Sequence, residues 1–358
     1  MPSLKEIKGR INSISSTLAI TSAMKMVAAA KLQKAQMAIQ NMLPYERRLY
    51  SMLVDLMGAM NISAAASEDG SVRGSGSAER GFDQSGDRLS LSNRHDLAGM
   101  DGAYSLMAQR EVRKVAIVAF ASNSSLCGAF NSNVIREATA VINEYRASGL
   151  RDSDIVVYSV GRKMAEAMRK LGFPSPADFT KMSDSPSYEA ASALAQELLD
   201  GFVSGRFDKV ELVYNHYKST SSQPTTRQTY LPLSLADATA DLQAGKITDS
   251  ASESDTNRGA EPVGAPVVRQ GSPTTEDLIV EPSKEALIAT LLPKVIRLRI
   301  FTTLLDSAAA EHAARTVAMQ LATDNGNDLL QELTLEYNKG RQQKITSEIL
   351  DIVGGSLQ

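Results

Sequence analysis

The N-terminal segment carries a heptad repeat of apolar residues, and this repeat constrains the fold more than any other feature of the sequence. No proline lies between Pro2 and Pro44, and no glycine lies between Gly9 and Gly58. With residue 4 at position a, the twelve a and d positions are Leu4, Ile7, Ile11, Ile14, Leu18, Thr21, Lys25, Ala28, Leu32, Ala35, Ile39 and Met42. Ten of them are apolar, the exceptions being Thr21 and Lys25. Such a repeat predicts the seam of a coiled coil.

The predicted helix is too long for a compact domain. Continued to about Met57, it would measure roughly 80 Å at 1.5 Å per residue. A compact domain of this chain's size has a radius of gyration of only about 20 Å. The helix must therefore project from any globular part.

A second long helix is predicted at the other end of the chain. No proline follows Pro293, so a helix from Lys294 to about Val353 could reach roughly 90 Å. Gly326 and Gly340 interrupt it at a cost of about 1 kcal/mol each relative to Ala. Its recurring apolar residues are Val295, Leu298, Leu305, Ala309, Ala313, Leu329 and Leu333.

Pairing the two helices within one chain would cover both apolar stripes. A parallel zipper between two copies usually has complementary charges at positions e and g. Apart from Lys8 and Arg10, those positions are mostly Ser, Thr, Ala and Gln. We therefore expect a long antiparallel coiled coil, with the intervening domain at its foot and both chain termini far from that domain.

Between the helices, apolar strands alternate with helices, which predicts a small Rossmann-like α/β domain with a parallel or mixed sheet. The expected strands are 112–121, 154–160, 177–182, 209–217 and 226–233, and the expected helices are 130–146, 161–171 and 187–203.

Two polar stretches, 62–110 and 236–277, lack apolar periodicity, and the second has a net charge of −5. The predicted organisation is a helix at 1–61, a polar flexible insertion at 62–110, the α/β domain at 111–235, an acidic loop at 236–277 and a helix at 278–358.

Composition excludes several classes of protein. The 38 Lys and Arg against 41 Asp and Glu give a net charge of −3, which argues against a dedicated nucleic-acid binder. No apolar run reaches the roughly 18–20 residues that span a bilayer. The N-terminus does not look like a signal or transit peptide, so a bacterial or otherwise unprocessed chain is expected. Cys127 is the one cysteine, which rules out an internal disulfide, and we expect it to be buried.

The sequence predicts neither a catalytic site nor a site for a cofactor or metal. A phosphate-binding P-loop motif is missing, and the turn at Gly161 has one glycine where a dinucleotide fingerprint needs three. The three histidines, His95, His216 and His312, show no metal-ligand spacing.

A second apolar strip, formed by Ile20, Met24 and Val27, runs beside the seam. It lies in a segment, 3–43, that carries six Lys and Arg against one acid. Met side chains repack easily against changing surfaces. The strip either contacts the protein's own α/β domain or belongs to a rod that slides against a partner, and both interpretations stay open.

Four sequence blocks together resemble the gamma subunit of the rotary F-type ATP synthase. They are MKMVAAAKL (24–32), SLCGAFN (125–131), AARTVAMQLATDNG (313–326) and EYNKGRQQKITSEILDIVGG (336–355). They occur in the family's order and cover both ends of the chain and the domain between them. One departure is the loop 123–128, which reads NSSLCG where many members read DRGLCG.

This resemblance implies a function and a set of partners. The two long helices would form a shaft inside an alpha3beta3 hexamer, with the α/β domain at the foot beside the epsilon subunit and the membrane-embedded c-ring. Proton flow would turn the ring and the shaft, and the shaft would drive the beta subunits through their catalytic states. The chain would be a non-catalytic peripheral membrane subunit, present once per complex, at the cytoplasmic face of the bacterial inner membrane.

The resemblance also implies six positions that contact the beta subunits or affect coupling: Met24, Lys25, Arg341, Gln342, Thr346 and Glu348. The first two match a shaft position that faces an acidic lever loop of beta. The next two match a pair that meets a polar loop of beta. The last two match positions that influence the coupling between rotation and catalysis.

Four apolar residues near the C-terminus, Ile345, Ile349, Ile352 and Val353, fall at helical spacing. If the C-terminal helix extends beyond the N-terminal one, the chain itself cannot cover all of them. Fully burying one such side chain is worth roughly 1.5–3 kcal/mol, so an exposed cluster calls for a partner. In the family this partner is the apolar bearing of the hexamer.

Two other functions fit the same elements. The first is a coiled-coil scaffold with an α/β ligand-binding head, for instance a nucleotide sensor. The second is an enzyme that uses the α/β domain alone. Co-purification with ATP-hydrolysing subunits separates the rotor from both.

Overall fold

The computed structural model describes residues 3–59, 106–233, 281 and 284–356. Its helices are α1 (Leu4–Ala59), α2 (Phe130–Ala147), α3 (Arg162–Lys170), α4 (Thr180–Asp184), α5 (Tyr188–Val203) and α6 (Lys284–Ser356). Its strands are β1 (Val115–Phe120), β2 (Ile155–Val160), β3 (Lys209–Asn215) and β4 (Thr225–Leu231). The expected insertions at 62–110 and 236–277, with His95, lie outside the described residues, apart from 106–110.

Both long helices are present at the two ends of the chain. Helix α1 has 56 residues and α6 has 73, so they measure roughly 84 Å and 110 Å. Each continues through an internal proline, Pro44 in α1 and Pro293 in α6. Neither proline ends its helix, and α6 begins ten residues earlier than the proline-free stretch alone would place it.

The two helices run antiparallel along their length, because residue numbers rise along one helix as they fall along the other. A Cβ atom on Gly326 would lie 2.6 Å from Leu18 Cδ2, so this glycine allows a close approach. All twelve a and d positions of the heptad repeat are buried or half-buried. The facing pairs are Leu4 with Gly340, Leu18 with Gly326, Thr21 with Thr323 and Tyr50 with Arg299.

Between the helices lies a small mixed sheet of four strands in the order β2-β1-β3-β4. Strand β1 pairs in parallel with β2 and β3, and β4 pairs antiparallel with β3. Every residue of β1 is buried, as expected for a central strand covered on both faces.

Side chains of β1 alternate between two apolar cores. Ala116, Val118 and Phe120 face the larger core, which α5 and the adjoining parts of α1 and α6 complete. The intervening residues face a core completed by α2 and α3. This period of two places the base of both long helices against one face of the sheet.

The expected strand at 177–182 is wrong, because the chain forms helix α4 there. Phe179 is half-buried and Met182 is buried, and a separation of three residues is a helical spacing. The Asp178 carboxylate accepts a hydrogen bond from the Thr180 amide at 2.9 Å, next to the start of the helix. Ala177 and Phe179, however, are two residues apart, which is a strand spacing, so the sequence of this short segment fits both periods.

Candidate functional site

The free end of α6 extends beyond the start of α1. Leu4, the first residue of α1, lies beside Gly340, so sixteen residues of α6, Arg341–Ser356, continue past it. This extension measures roughly 24 Å. All ten residues of 341–350 are exposed. We call the segment 341–356 the tip.

The tip carries a row of exposed apolar side chains. Ile345 is 47% exposed, Ile349 55%, Ile352 72% and Val353 51%. Leu350, which the sequence reasoning missed, is 65% exposed. The described part of the chain therefore leaves this surface uncovered, as expected if α6 extends beyond α1.

The polar residues of the tip are exposed, and Thr346 and Glu348 each contact a residue of the tip helix itself. The Thr346 hydroxyl donates a hydrogen bond to the Gln342 carbonyl at 2.9 Å, a contact within the helix. Glu348 lies 3.7 Å from Lys344, and both side chains are more than half exposed. Such an exposed pair contributes little to stability. Arg341 makes no hydrogen bond to the residues that the structure describes, so its guanidinium is available to a partner.

The second predicted contact lies near the middle of α1. Met24 and Lys25 are both half-buried, and they occupy different faces of the helix. Lys25 lies on the seam, whereas Met24 lines a cleft of about 320 Å³ between α1, α6 and the domain. The structure therefore does not bring the two side chains to one surface point.

The apolar strip beside the seam stays largely open. Ile20 is 59% exposed and Val27 58% exposed, so the described α/β domain does not cover them. Met24 and Val27 share the cleft with Ser124 and Ser183 of the domain. The interpretation of the strip as a contact with the protein's own domain thus holds only for the edge that faces the cleft.

A buried ion pair forms one wall of the cleft. Arg315 Nη2 lies 2.6 Å from Glu311 Oε1, and each side chain is 10% exposed. Burial raises the pKa of Glu311, and Arg315 opposes that rise. Arg315 also donates to the Ser125 carbonyl at 2.7 Å and to Ser124 Oγ at 2.8 Å. It therefore fastens the loop 122–128 to α6.

His312 lies beside this pair and is half-buried. Burial, together with the charges of Lys31 and Arg315, lowers the pKa of His312 to about 4. The ring is therefore neutral at neutral pH. Its Nδ1 atom is buried and has no hydrogen-bond partner among the described residues.

The loop that departs from the family pattern is held from inside as well. Cys127 is 2% exposed, and Asn131 Nδ2 lies 3.1 Å from its sulfur, so the prediction of a buried cysteine is confirmed. Leu126 has a positive φ of 68° and is 61% exposed. Sequence reasoning missed the Arg315 contacts with this loop, because about 190 residues separate the partners and no local pattern connects them.

The described residues offer no metal centre and no membrane span. Within 3–59, 106–233 and 284–356, no group of three or more His, Cys, Asp and Glu could hold a metal ion. No helix in those ranges combines the length and the apolar composition that crossing a bilayer requires. The geometry instead presents a rod with an exposed tip and a mid-shaft cleft, both suited to contacts with other proteins.

Comparison with known proteins identifies the family. The family model described as ATP synthase matches residues 3–357. The ATP synthase gamma chain of Phocaeicola vulgatus is 46% identical over 357 residues and is covered, like this chain, over 100% of its length. The chain belongs to the ATP synthase gamma chain family.

Other relatives agree with this assignment. The ATP synthase gamma chain of Bacteroides thetaiotaomicron is 45% identical over 358 residues, with both chains covered completely. A chain in the Euglena gracilis mitochondrial ATP synthase, from an OSCP/F1/c-ring structure, has the same fold with a TM-score of 0.52. That match is 19% identical and covers 99% of this chain and 93% of the other. As a gamma chain, the protein is a non-catalytic subunit, which confirms the family and the class inferred from the sequence.

Proposed function

We propose that the chain is the central-stalk rotor subunit of a proton-translocating F-type ATP synthase. In this role α1 and α6 form an antiparallel coiled coil inside an alpha3beta3 hexamer, and the Rossmann-like α/β domain contacts the epsilon subunit and the c-ring. Proton flow turns the ring, the ring turns the shaft, and the shaft drives the beta subunits through the conformational cycle of ATP synthesis or hydrolysis. The full-length match to gamma chains supports this role.

The observation that carries the proposal is the uncovered tip. A segment of sixteen residues with five exposed apolar side chains, from Ile345 to Val353, is unfavourable in water unless a partner covers it. A ring of subunits around the tip would cover every side of the helix. Ile345, Ile349, Ile352 and Val353 then contact an apolar bearing, and Arg341, Gln342, Thr346 and Glu348 meet polar groups of beta.

The middle of the shaft supplies the second contact. The segment 3–43 of α1 carries six Lys and Arg against one acid, so the α1 side of the shaft is the side that attracts an acidic surface. We assign Met24 and Lys25 to the acidic lever loop of beta, which would contact them on two different faces of α1. The exposed strip at Ile20 and Val27 extends the same surface along α1.

The proposed location follows from the partners. The chain is present once per complex and attaches to the membrane through the c-ring, at the cytoplasmic face of the bacterial inner membrane. The similar gamma chains from Phocaeicola and Bacteroides support a bacterial enzyme. The division into a helix at 1–61, insertions at 62–110 and 236–277, a domain at 111–235 and a helix at 278–358 belongs to the same proposal.

The bearing contact is tested with the double variant Ile349→Asp, Ile352→Asp. We expect it to lose co-elution with the alpha and beta subunits, because two carboxylates would enter an apolar sleeve. The matched control is Gln343→Asp, Ser347→Asp, which adds the same charge at exposed polar positions of the tip. Circular dichroism should show both variants folded. Normal assembly and ATPase turnover of the first variant would refute the bearing contact.

Arg341 tests the polar contact separately. We expect the Arg341→Ala variant to assemble normally but to hydrolyse ATP several-fold more slowly. For scale, losing a contact worth about 1.4 kcal/mol in activation free energy lowers a rate about tenfold. The control is Lys344→Ala, which removes a second exposed cation from the same tip. Equal rates for the wild type and Arg341→Ala would contradict the assignment.

A further inference from the structure

The loop that joins β3 to β4 is tied to both long helices at one point. Asp306 on α6 accepts a hydrogen bond at Oδ2 from the His216 ring, with Nδ1 at 2.7 Å. Its other oxygen, Oδ1, accepts the backbone N–H of Tyr217 at 2.9 Å. The Tyr217 hydroxyl in turn accepts a hydrogen bond from Gln36 Nε2 on α1 at 2.6 Å. Four residues thus connect the domain to both helices.

This connection lies where the helix pair leaves the sheet core. The large core takes in α6 side chains from Ile288 to Leu304 and ends just before Asp306. Beyond it, the Tyr217 ring packs on a small cluster of Leu32 from α1 with Ala309 and Ala313 from α6. The hydrogen bonds of Asp306 therefore tie α6 to the domain at that level, and the hydrogen bond of Gln36 ties α1 to it.

The charges around His216 favour its protonated form. Asp306 raises the pKa of His216 above its ordinary value of 6.5, and this outweighs the opposing effects of burial and of Lys218 in the same loop. Helix α1 contributes the uncharged Gln36 at this point. The His216 side chain is 48% exposed and that of Asp306 17%, so protons reach the pair from solvent.

We propose that His216 and Asp306 form a pH-sensitive joint that fixes the α/β domain to the helix pair when His216 is protonated. The joint deepens the proposed rotor function, and its effect on torque rests on that function. Torque from the c-ring would act on the α/β domain and reach α6 partly through Asp306. Asp306 is a positioning residue, because it holds the β3–β4 loop against α6.

The direction of the pH effect follows from the raised pKa. The added stabilisation is fully present below pH 6.5 and is lost as the pH rises through the pKa of His216 in the folded chain. A neutral imidazole donates a hydrogen bond from Nδ1 in only one of its two tautomers, and that hydrogen bond no longer has a positive charge on its donor. The joint is therefore tight at mildly acid pH and looser at alkaline pH.

Hydrogen exchange of the Tyr217 amide in the full chain tests the joint directly. After correction for the intrinsic exchange rate, we expect protection to fall about tenfold between pH 6 and pH 8.5, as for the loss of one bond to a charged group. His216→Lys, which keeps the cation, should give protection independent of pH. His216→Gln should give low protection at both values. Protection of Tyr217 in the wild type that does not change with pH would overturn the joint.

The consequence for coupling is measured on the assembled complex in vesicles. The ratio of proton pumping to ATP hydrolysis should fall with pH more steeply for the wild type than for His216→Lys. Parallel curves would show that the joint does not transmit torque. If the wild-type chain does not assemble with ATP-hydrolysing subunits, the rotor function itself fails, whereas the amide measurement still decides the joint.

Discussion

One helix, α6, provides two environments for the same kind of apolar repeat. Its base, residues 288–304, packs into the sheet core, with Ile288, Leu292, Val295 and Ile296 each at most 1% exposed. Its tip presents isoleucines that are 47% to 72% exposed. Helical spacing is similar in both, so periodicity predicts the helix but not what covers it. The base is covered by its own chain, and the tip needs another molecule.

The largest expected difference is between matched charges placed in the two regions. Ile296→Asp should prevent folding of the isolated chain or destabilise it by at least about 5 kcal/mol, because a carboxylate would be buried without a partner. Ile352→Asp should change the free energy of unfolding by less than about 0.5 kcal/mol. Urea unfolding followed by circular dichroism measures both. Equal destabilisation would mean that the tip packs within its own chain.

The buried pair of the cleft should show the next largest effect. Arg315→Ala leaves Glu311 buried without its cation and frees the loop 122–128, so we expect a loss of about 3–5 kcal/mol. Arg10→Ala removes an exposed pair with Glu6 and should cost no more than about 0.5 kcal/mol. Thermal unfolding of both variants provides the measurement. A small effect of Arg315→Ala would show that solvent reaches the cleft wall freely.

The helix pair between base and tip is probed with glycines. Gly326→Ala places a methyl group against Leu18, and overpacking of about 1–3 kcal/mol opposes a gain in helix propensity of about 1 kcal/mol. We expect Gly326→Ala to lower the free energy of unfolding by up to about 2 kcal/mol. The same substitution should cost less in a chain that already carries Leu18→Ala.

Gly9 is the control for this experiment, because a Cβ there meets nothing within 4 Å. Gly9→Ala should stabilise the chain by up to about 1 kcal/mol. Stabilisation by both alanines, measured by urea unfolding, would show that α1 and α6 do not touch closely at Gly326.

Much of the rod could be predicted from local patterns. The twelve heptad positions became the covered face of α1, since a heptad repeat places them on one side of any helix. The order of strands and helices predicted the small α/β domain, and the family blocks located the tip. Leu350 escaped because it lies five residues after Ile345, outside the i, i+4, i+7, i+8 series that the other four apolar residues of the tip form. The strand at 177–182 was wrong because Phe179 stands two residues from Ala177, a strand spacing, and three residues from Met182, a helical spacing.

The sequence by itself determined which segments are long helices, which strands are buried and to which family the chain belongs. Only the tertiary structure decided that Gly326 faces Leu18, that Arg315 holds the loop at Ser124 and that Asp306 joins His216. The reason is physical. Periodicity reports the direction of side chains relative to their own helix or strand, whereas these contacts depend on how two distant segments are aligned, and that alignment is set by packing of the whole chain.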